Sequence, residues 1–413
     1  MKISLLTLGC KVNQAESSQI ADQLVTSGCT VVGLDGNPDI CIINTCSVTS
    51  KSDYQSRQLI RRAAKTGSKV VVTGCYSQIH QEMVRSMDGV TMIVPNDNKI
   101  HINKMLTYVS SRNTSVSGHN SMSRRLLKVQ DGCDNTCSYC IIPMARGKSR
   151  SRKITEVIEE INSIADLYNE VVITGIHLGT YGYDLFPKVS LSVLIKNILR
   201  ETHIKRIRLS SLEINEIDSQ LIELLQEKRL CQHLHIPLQS ADDKILGMMN
   251  RSYSLTQFQD ILSSLYQKIP EISIGTDIIV GFPGEGEIEF KKTKNFLENS
   301  GLSYLHIFPF SARPGTKAFD MKSHNSPSIK KDRCNILRSI DERIKAEYMK
   351  KQMGRILDLL VETKNENGLC TGTTGNYLKV RAYLKTTRLK DIEYVRISDV
   401  NGDVLTGCPI EIS

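Results

Sequence analysis

Tryptophan is absent from this 413-residue sequence, and aromatic residues of all kinds make up only 5% of it. Any core must therefore be built mainly from Ile, Leu and Val, and with 40% hydrophobic and 23% charged residues that supply is ordinary for a globular protein. No stretch approaches the roughly 18 consecutive apolar residues of a membrane span, so no membrane association is expected. The apolar run at residues 3–8, ahead of Gly9-Cys10, is shorter than the roughly 7-residue core of a signal peptide and reads better as a first strand. A strong charge of either sign is also missing. The balance of 53 Lys+Arg against 44 Asp+Glu gives +9, which permits a polyanionic partner without demanding one.

What the sequence does have is cysteine. Twelve thiols in a long chain without an export signal predict a reducing, cytoplasmic setting, where cysteines serve metals or catalysis rather than disulfides. The length predicts two or three domains. Short apolar runs at 3–8, 40–44, 70–73 and 90–94 alternate with helical patterns at 13–27, 50–65 and 77–87, the mark of a parallel α/β domain over residues 1–110. Residues 110–123, rich in Ser, Asn and Gly, form the clearest linker. A second alternation has strands at 126–130, 171–174, 206–209, 234–236, 274–280 and 304–308, with helices such as 154–167, 191–200, 216–228 and 285–299 between them. Six β/α units are too few for a closed eight-unit barrel, so a partial barrel is expected within 124–350. A charged helix over 328–351 leads to short β-type runs at 356–362, 377–382 and 393–398. These predict a small antiparallel β barrel over residues 352–413.

Cys133, Cys137 and Cys140 stand at C-x3-C-x2-C just after a predicted strand. Three thiolates in so short a loop can hold three irons of a four-iron cluster, leaving one iron open. S-adenosylmethionine can chelate an open iron, and one electron passed to its sulfonium gives an alkyl radical. A closed zinc site would need a fourth ligand, and none is suitably spaced. A thioredoxin-like pair or plain buried thiols are the remaining alternatives. Cys10, Cys46 and Cys75 are far apart in sequence, but each ends a predicted strand. In a parallel sheet such ends share one edge, so the three can meet as a second ligand set or remain ordinary half-buried thiols.

Other positions are suggestive. Tyr139, before the last cysteine of the loop, can pack on an adenine. Gly175 and Gly179 permit close backbone approach to a cofactor or simply form a turn. Ser211, Glu213, Gln239 and Asp277 fall at or just beyond strand ends, where polar groups can bind ribose or a methionyl amine. Between residues 124 and 154, eight basic residues face only Asp131 and Asp134. Arg146, Lys148, Arg150 and Arg152 among them are candidates for a polyanion-facing rim. The last domain balances eight basic against eight acidic residues, but Lys379, Arg381, Lys385, Arg388, Lys390 and Arg396 gather its positive charge. Tyr377 and Tyr383 can stack on bases or fill core.

Together these segments resemble the radical S-adenosylmethionine methylthiotransferases. TLGCKVNQAES, NTCSVT and TGCYSQ resemble the N-terminal cluster domain of that family, and CDNTCSYCIIPMARGKSRSR its radical motif. TGIHLGTYG, SSLE, HIPLQS, MNRSY, DIIVGFPGE and HIFPFSARPGT follow in family order. Ala241-Asp242 and Gly286 depart from the pattern. The resemblance implies two [4Fe-4S] clusters, S-adenosylmethionine as cofactor, and an RNA-binding terminal (TRAM-like) barrel. The auxiliary cluster would sit on Cys10, Cys46 and Cys75 and carry or donate sulfur. It further implies a tRNA substrate, an external electron donor and a sulfur source. TLGCKVNQ looks like the branch acting at C2 of N6-threonylcarbamoyladenosine beside the anticodon. Isopentenyladenosine in tRNA and a ribosomal-protein aspartate are the targets of other branches, and a non-catalytic iron–sulfur RNA-binding protein is the remaining alternative.

Overall fold

The computed structural model describes residues 1–106, 122–384 and 388–410. Of the expected linker only Met122 and Ser123 fall among them, and Lys385 lies outside the described residues.

The first unit is a parallel sheet of β1 (Lys2–Thr7), β2 (Thr30–Val31), β3 (Ile40–Thr45), β4 (Lys69–Gly74) and β5 (Val90–Ile93), in the order β2-β1-β3-β4-β5. The central strand β3 is buried along its whole length, which is why it reads as an unbroken apolar run. Helices α1 (Lys11–Thr26), α2 (Ser50–Ala64), α3 (Cys75–Ile79), α4 (Gln81–Arg85) and α5 (Ile102–Leu106) accompany it. The one helix expected at 77–87 is two, because His80 leaves helical geometry at φ −117°, ψ 47°. The two-residue β2 is too short to leave a pattern in sequence.

The central unit carries β6 (Arg125–Asp131), β7 (Arg150–Ser151), β8 (Glu170–Gly175), β9 (Arg206–Leu209), β10 (His233–His235), β11 (Ser273–Val280) and β12 (Tyr304–Pro309). They form two sheets, β7-β6-β8-β9 and β10-β11-β12, linked by a bridge between Ile207 and Leu230. Apart from the short β7, the strands run parallel and make the expected six-stranded partial barrel. Around it pack α6 (Ile142–Arg146), α7 (Ile154–Ile164), α8 (Leu191–Glu201), α9 (Ser219–Leu224), α10 (Asp243–Met248), α11 (Leu255–Lys268), α12 (Glu287–Asn299) and α13 (Pro327–Lys350). The helix expected from residue 216 begins only at Ser219, where the Asp218 carboxylate accepts the Leu221 N–H at 2.7 Å. Asp242 caps α10 in the same way, accepting from Ile245 at 3.1 Å, so one departure from the family pattern supplies a helix start.

The third unit is a closed barrel of β13 (Ile356–Lys364), β14 (Leu369–Thr374), β15 (Lys379–Tyr383), β16 (Ile392–Asn401) and β17 (Val404–Pro409), in the order β13-β14-β15-β17-β16. Four pairings are antiparallel and β15–β17 is parallel.

Buried ion pairs join the units. On β9, Arg206 and Arg208 point to one face and share the carboxylate of Glu170, with Nε–O distances of 2.5 and 3.0 Å. Their outer nitrogens donate to the carbonyls of Thr373, Thr374 and Gly375 at 2.9–3.0 Å, gripping the terminal barrel. Burial would raise Glu170, but Arg208, Arg206 and Arg124 overcome it and hold the carboxyl down at about 2. Glu16 on α1 does the same between the first two units, pairing with Lys99, Lys128 and Arg146.

Candidate active site

The cysteine loop after β6 is pinned before any metal is considered. Gly132, at φ +74°, starts it where a Cβ would sit 1.9 Å from the Lys148 carbonyl oxygen, so only glycine fits. Ser138 donates through Oγ to the Met248 carbonyl at 2.7 Å, and Asn250 donates to Thr136 Oγ1 at 2.7 Å. Each thiol has a distinct setting. Cys133 Sγ lies 3.6 Å from His177 Nδ1, and that histidine is in turn paired with Glu216. Burial would lower His177, but the contacts with Cys133 and Glu216 raise it to about 10. Cys137 accepts from Arg251 Nη1 at 3.3 Å, while burial pushes Cys140 up to about 12.

The second trio stands at the carboxyl edge of the first sheet. Gly9, at φ +101°, lets Cys10 approach Cys46 so closely that a Cβ there would fall 2.8 Å from the Cys46 sulfur. Gly74, at φ +99°, turns the chain off β4 to present Cys75 at the start of α3. Arg146 Nε donates to Cys75 Sγ at 3.3 Å. Burial raises Cys46. Both trios fit soft-metal ligation: each gathers three thiols, and each has a cationic N–H donor that suits a thiolate. The other six cysteines form no such group; Cys41, for example, packs in the apolar core from β3.

A cavity of about 1460 Å³ separates the trios, and Cys10, Cys46, Cys133, Cys137 and Cys140 all open onto it. It is larger than a typical small-molecule pocket and has room for a cofactor beside a nucleoside. Tyr139, Gly175, Ser211, Glu213, Gln239 and Asp277 also line it. Tyr139 meets Phe282 edge-on at 6.4 Å. Glu213 pairs with Arg251, which links it to Cys137. Asp277 accepts from His235 Nε2 at 2.8 Å and His306 Nδ1 at 3.2 Å. Burial would raise Asp277, yet these two hydrogen bonds hold it well below the usual carboxylate range.

Three expectations need correction. Gly179 does not reach the cavity; a Cβ there would strike the Glu216 carboxylate at 1.8 Å, so its smallness serves the His177–Glu216 pair. Arg146 is no rim residue. It is 2% exposed and held by Glu16, Asp131, Asn13 and Cys75. Tyr377 does not fill its own barrel's core, and a base stacked on it would lie inside the cavity rather than on the outer face of the barrel. Its ring lies 4.4 Å from His233 and under Arg208, closing the floor of the cavity. Elsewhere in the basic stretch Arg125 and Lys128 are spent on ion pairs, and Arg152 pairs with Glu160 at 2.7 Å, whereas Lys148 and Arg150 face solvent.

Sequence reasoning overlooked Lys11, His177, His235, Arg251 and His306 as site residues. All five sit inside quoted motifs, and only their polarity at strand or loop ends marks them. Lys11 points its ammonium into the cavity over Tyr377, 5.6 Å from the ring centre, and burial, then Arg208 and Arg124, lower it to about 8.

Residues 127–297 match the radical SAM superfamily, and residues 2–95 match the uncharacterized protein family UPF0004. The threonylcarbamoyladenosine tRNA methylthiotransferase of Aquifex aeolicus (strain VF5) is 35% identical, over 92% of this chain and 96% of its own length. The chain belongs to the radical S-adenosylmethionine methylthiotransferases. A methylthiotransferase of the same name from Bacillus subtilis (strain 168) is also 35% identical, covering 92% of this chain and 89% of its own. The tRNA-2-methylthio-N(6)-dimethylallyladenosine synthase of Thermodesulfovibrio yellowstonii is 31% identical over 98% of both chains. Among solved structures, the radical S-adenosylmethionine methyltransferase TsrM of Kitasatospora setae shares the fold at a TM-score of 0.57 and 14% identity, over 77% of each chain. This methylthiotransferase is thus a radical S-adenosylmethionine enzyme, and no described helix is long and apolar enough to cross a membrane.

Proposed function

We propose that this methylthiotransferase inserts a methylthio group at C2 of N6-threonylcarbamoyladenosine beside the anticodon of tRNA. The observation that carries the reading is the cavity onto which all three thiols of one cysteine trio and two of the other, Cys10 and Cys46, open. Cys133, Cys137 and Cys140 would hold the radical-generating cluster, and Cys10, Cys46 and Cys75 a second, sulfur-bearing one. A four-iron cluster held by the first trio would supply the electron that splits S-adenosylmethionine into methionine and a hydrogen-abstracting 5′-deoxyadenosyl radical.

The protein's own part is placement. Arg251 and His177 supply N–H donors to Cys137 and Cys133. Tyr139 offers an aromatic wall for an adenine, and Ser211, Glu213 and Gln239 offer polar groups to the cofactor's ribose and methionyl ends. Exposed Lys148 and Arg150, with Lys379, Arg381 and Tyr383 along the outer face of β15, suit tRNA phosphates and bases. The reaction requires an external electron donor and a sulfur source, and a reducing cytoplasm suits it.

The choice of nucleoside is supported by relatives named for threonylcarbamoyladenosine at 34–35% identity, against 28–31% for those named for dimethylallyladenosine. Mass spectrometry of tRNA nucleosides from a deletion strain tests it. Loss of 2-methylthio-N6-threonylcarbamoyladenosine, restored by the intact gene, is the expected result. Loss of the isopentenyl derivative instead would move the enzyme to the other tRNA branch. Unchanged methylthio-adenosines would point to a protein side chain.

A further inference from the structure

The cavity's charge is unbalanced. Lys11, Lys51, Arg251, Lys330, Lys331 and Arg338 line it against two carboxylates, Glu213 and Asp277. Both carboxylates are committed, Glu213 to Arg251 and Asp277 to two histidines. Lys51, Lys331 and Arg338 sit exposed at the mouth, and Lys330 donates to the Phe310 carbonyl at 3.3 Å. Lys11 is different. It starts α1 directly after Cys10, extends inside the cavity, and among the described residues has no hydrogen-bond acceptor or ion-pair partner. The Tyr377 ring lies against it, and the charges of Arg208, Arg124 and Glu170 act on it from nearby.

Lys11 is half-buried, and a ligand that fills the cavity over its unpaired ammonium strips away the remaining water at a cost that only an anionic group offsets. The floor beside it is aromatic, with Tyr377, His233 and Tyr304 grouped at 4.4–6.1 Å. A flat base with an anionic arm matches this combination, whereas an apolar arm would leave the ammonium unpaired and desolvated. We infer that Lys11 is a specificity-determining residue that binds the threonyl carboxylate of the modified adenosine and so discriminates against isopentenyl-type arms. The inference rests on the proposed nucleoside. Selection of this kind, in which the wrong ligand strands a buried charge, is stronger than selection by shape alone.

A carboxylate can also come from the methionyl end of S-adenosylmethionine, so the test separates the sources. Full-length, cluster-reconstituted enzyme is titrated with an anticodon stem-loop carrying N6-threonylcarbamoyladenosine and with the same stem-loop bearing the carboxamide. S-adenosylmethionine is titrated separately. Wild-type enzyme should favour the carboxylate by about 10- to 100-fold, the range of a buried charge-assisted hydrogen bond. Lys11→Met should erase the preference and Lys11→Arg should keep part of it. Equal binding of the two stem-loops by wild type overturns the inference, and needs no variant to fold. So does a Lys11→Met enzyme that keeps the preference while losing affinity for S-adenosylmethionine. Failure of the nucleoside reading is seen separately, as a different methylthio-nucleoside in the tRNA profile.

Discussion

Arg146 Nε lies 3.3 Å from the sulfur of Cys75, and the same guanidinium holds Glu16 at 2.6 Å and Asp131 at 3.1 Å. One fully buried side chain on the short helix after the radical loop therefore reaches the second cysteine trio and the interface between the first two domains. Arg146→Met would strand buried acids and remove a donor from Cys75. Breaking one partner of such a buried network costs about 3–5 kcal/mol. A clear fall in melting temperature is expected, with iron content dropping from about eight toward about four per chain. Arg150→Ala, at an exposed pair with Asp97, should change stability by less than about 0.5 kcal/mol. Equal melting curves and iron contents for the two variants would refute the bridging role.

The two trios should separate functionally. If Cys133, Cys137 and Cys140 hold the radical-generating cluster as proposed, Cys137→Ala removes a ligand and 5′-deoxyadenosine formation should stop. Cys46→Ala leaves that loop and its donors Arg251 and His177 intact, so cofactor cleavage should continue while methylthiolated product disappears. Product analysis by mass spectrometry, beside quantitation of 5′-deoxyadenosine, reads both. Product from Cys46→Ala enzyme would remove the second cluster from the chemistry.

The elements that sequence exposes best are those buried on both sides, such as β3, and the cysteines that follow strands. Burial leaves long apolar runs, and short loops keep ligand spacing local. β14 (LCTGTT) and β17 (VLTGCP) escape notice because Thr and Gly dominate them and their partners lie elsewhere in the barrel. The charged residues mislead most. Arg146 and Lys148 look alike in sequence, yet one is buried against Glu16 and the other faces water, because Glu16 lies 130 residues away. Lys11 and Tyr377 meet only through the fold.

Gly179→Ala probes a contact that spacing alone would assign to the cofactor. The new methyl would displace the Glu216 carboxylate, which orients His177 against Cys133. The expected result is slower 5′-deoxyadenosine formation with little change in the binding constant for S-adenosylmethionine, since Gly179 lies off the cavity. A rise in that constant alone, at unchanged rate, would restore Gly179 as a cofactor contact.

Acid should loosen the terminal barrel through Glu170. Its folded value of about 2 lies below the roughly 4.3 of an unfolded glutamate. The stabilisation is therefore fully present above about pH 4.3 and is lost as pH falls toward about 2, because the unfolded chain takes up the proton first. Glu170→Gln removes the charge and strands Arg206 and Arg208 beside the carbonyls of Thr373 and Thr374. Urea midpoints of wild type and variant, taken from pH 6 to pH 3, should differ most above about pH 4.5 and converge below it. Both midpoints fall in acid, because Glu16 and Asp277 are also held below their ordinary range, and the wild type should fall more steeply than the variant. A gap that persists unchanged to pH 3 would mean that Glu170 carries no net stabilising charge at this interface.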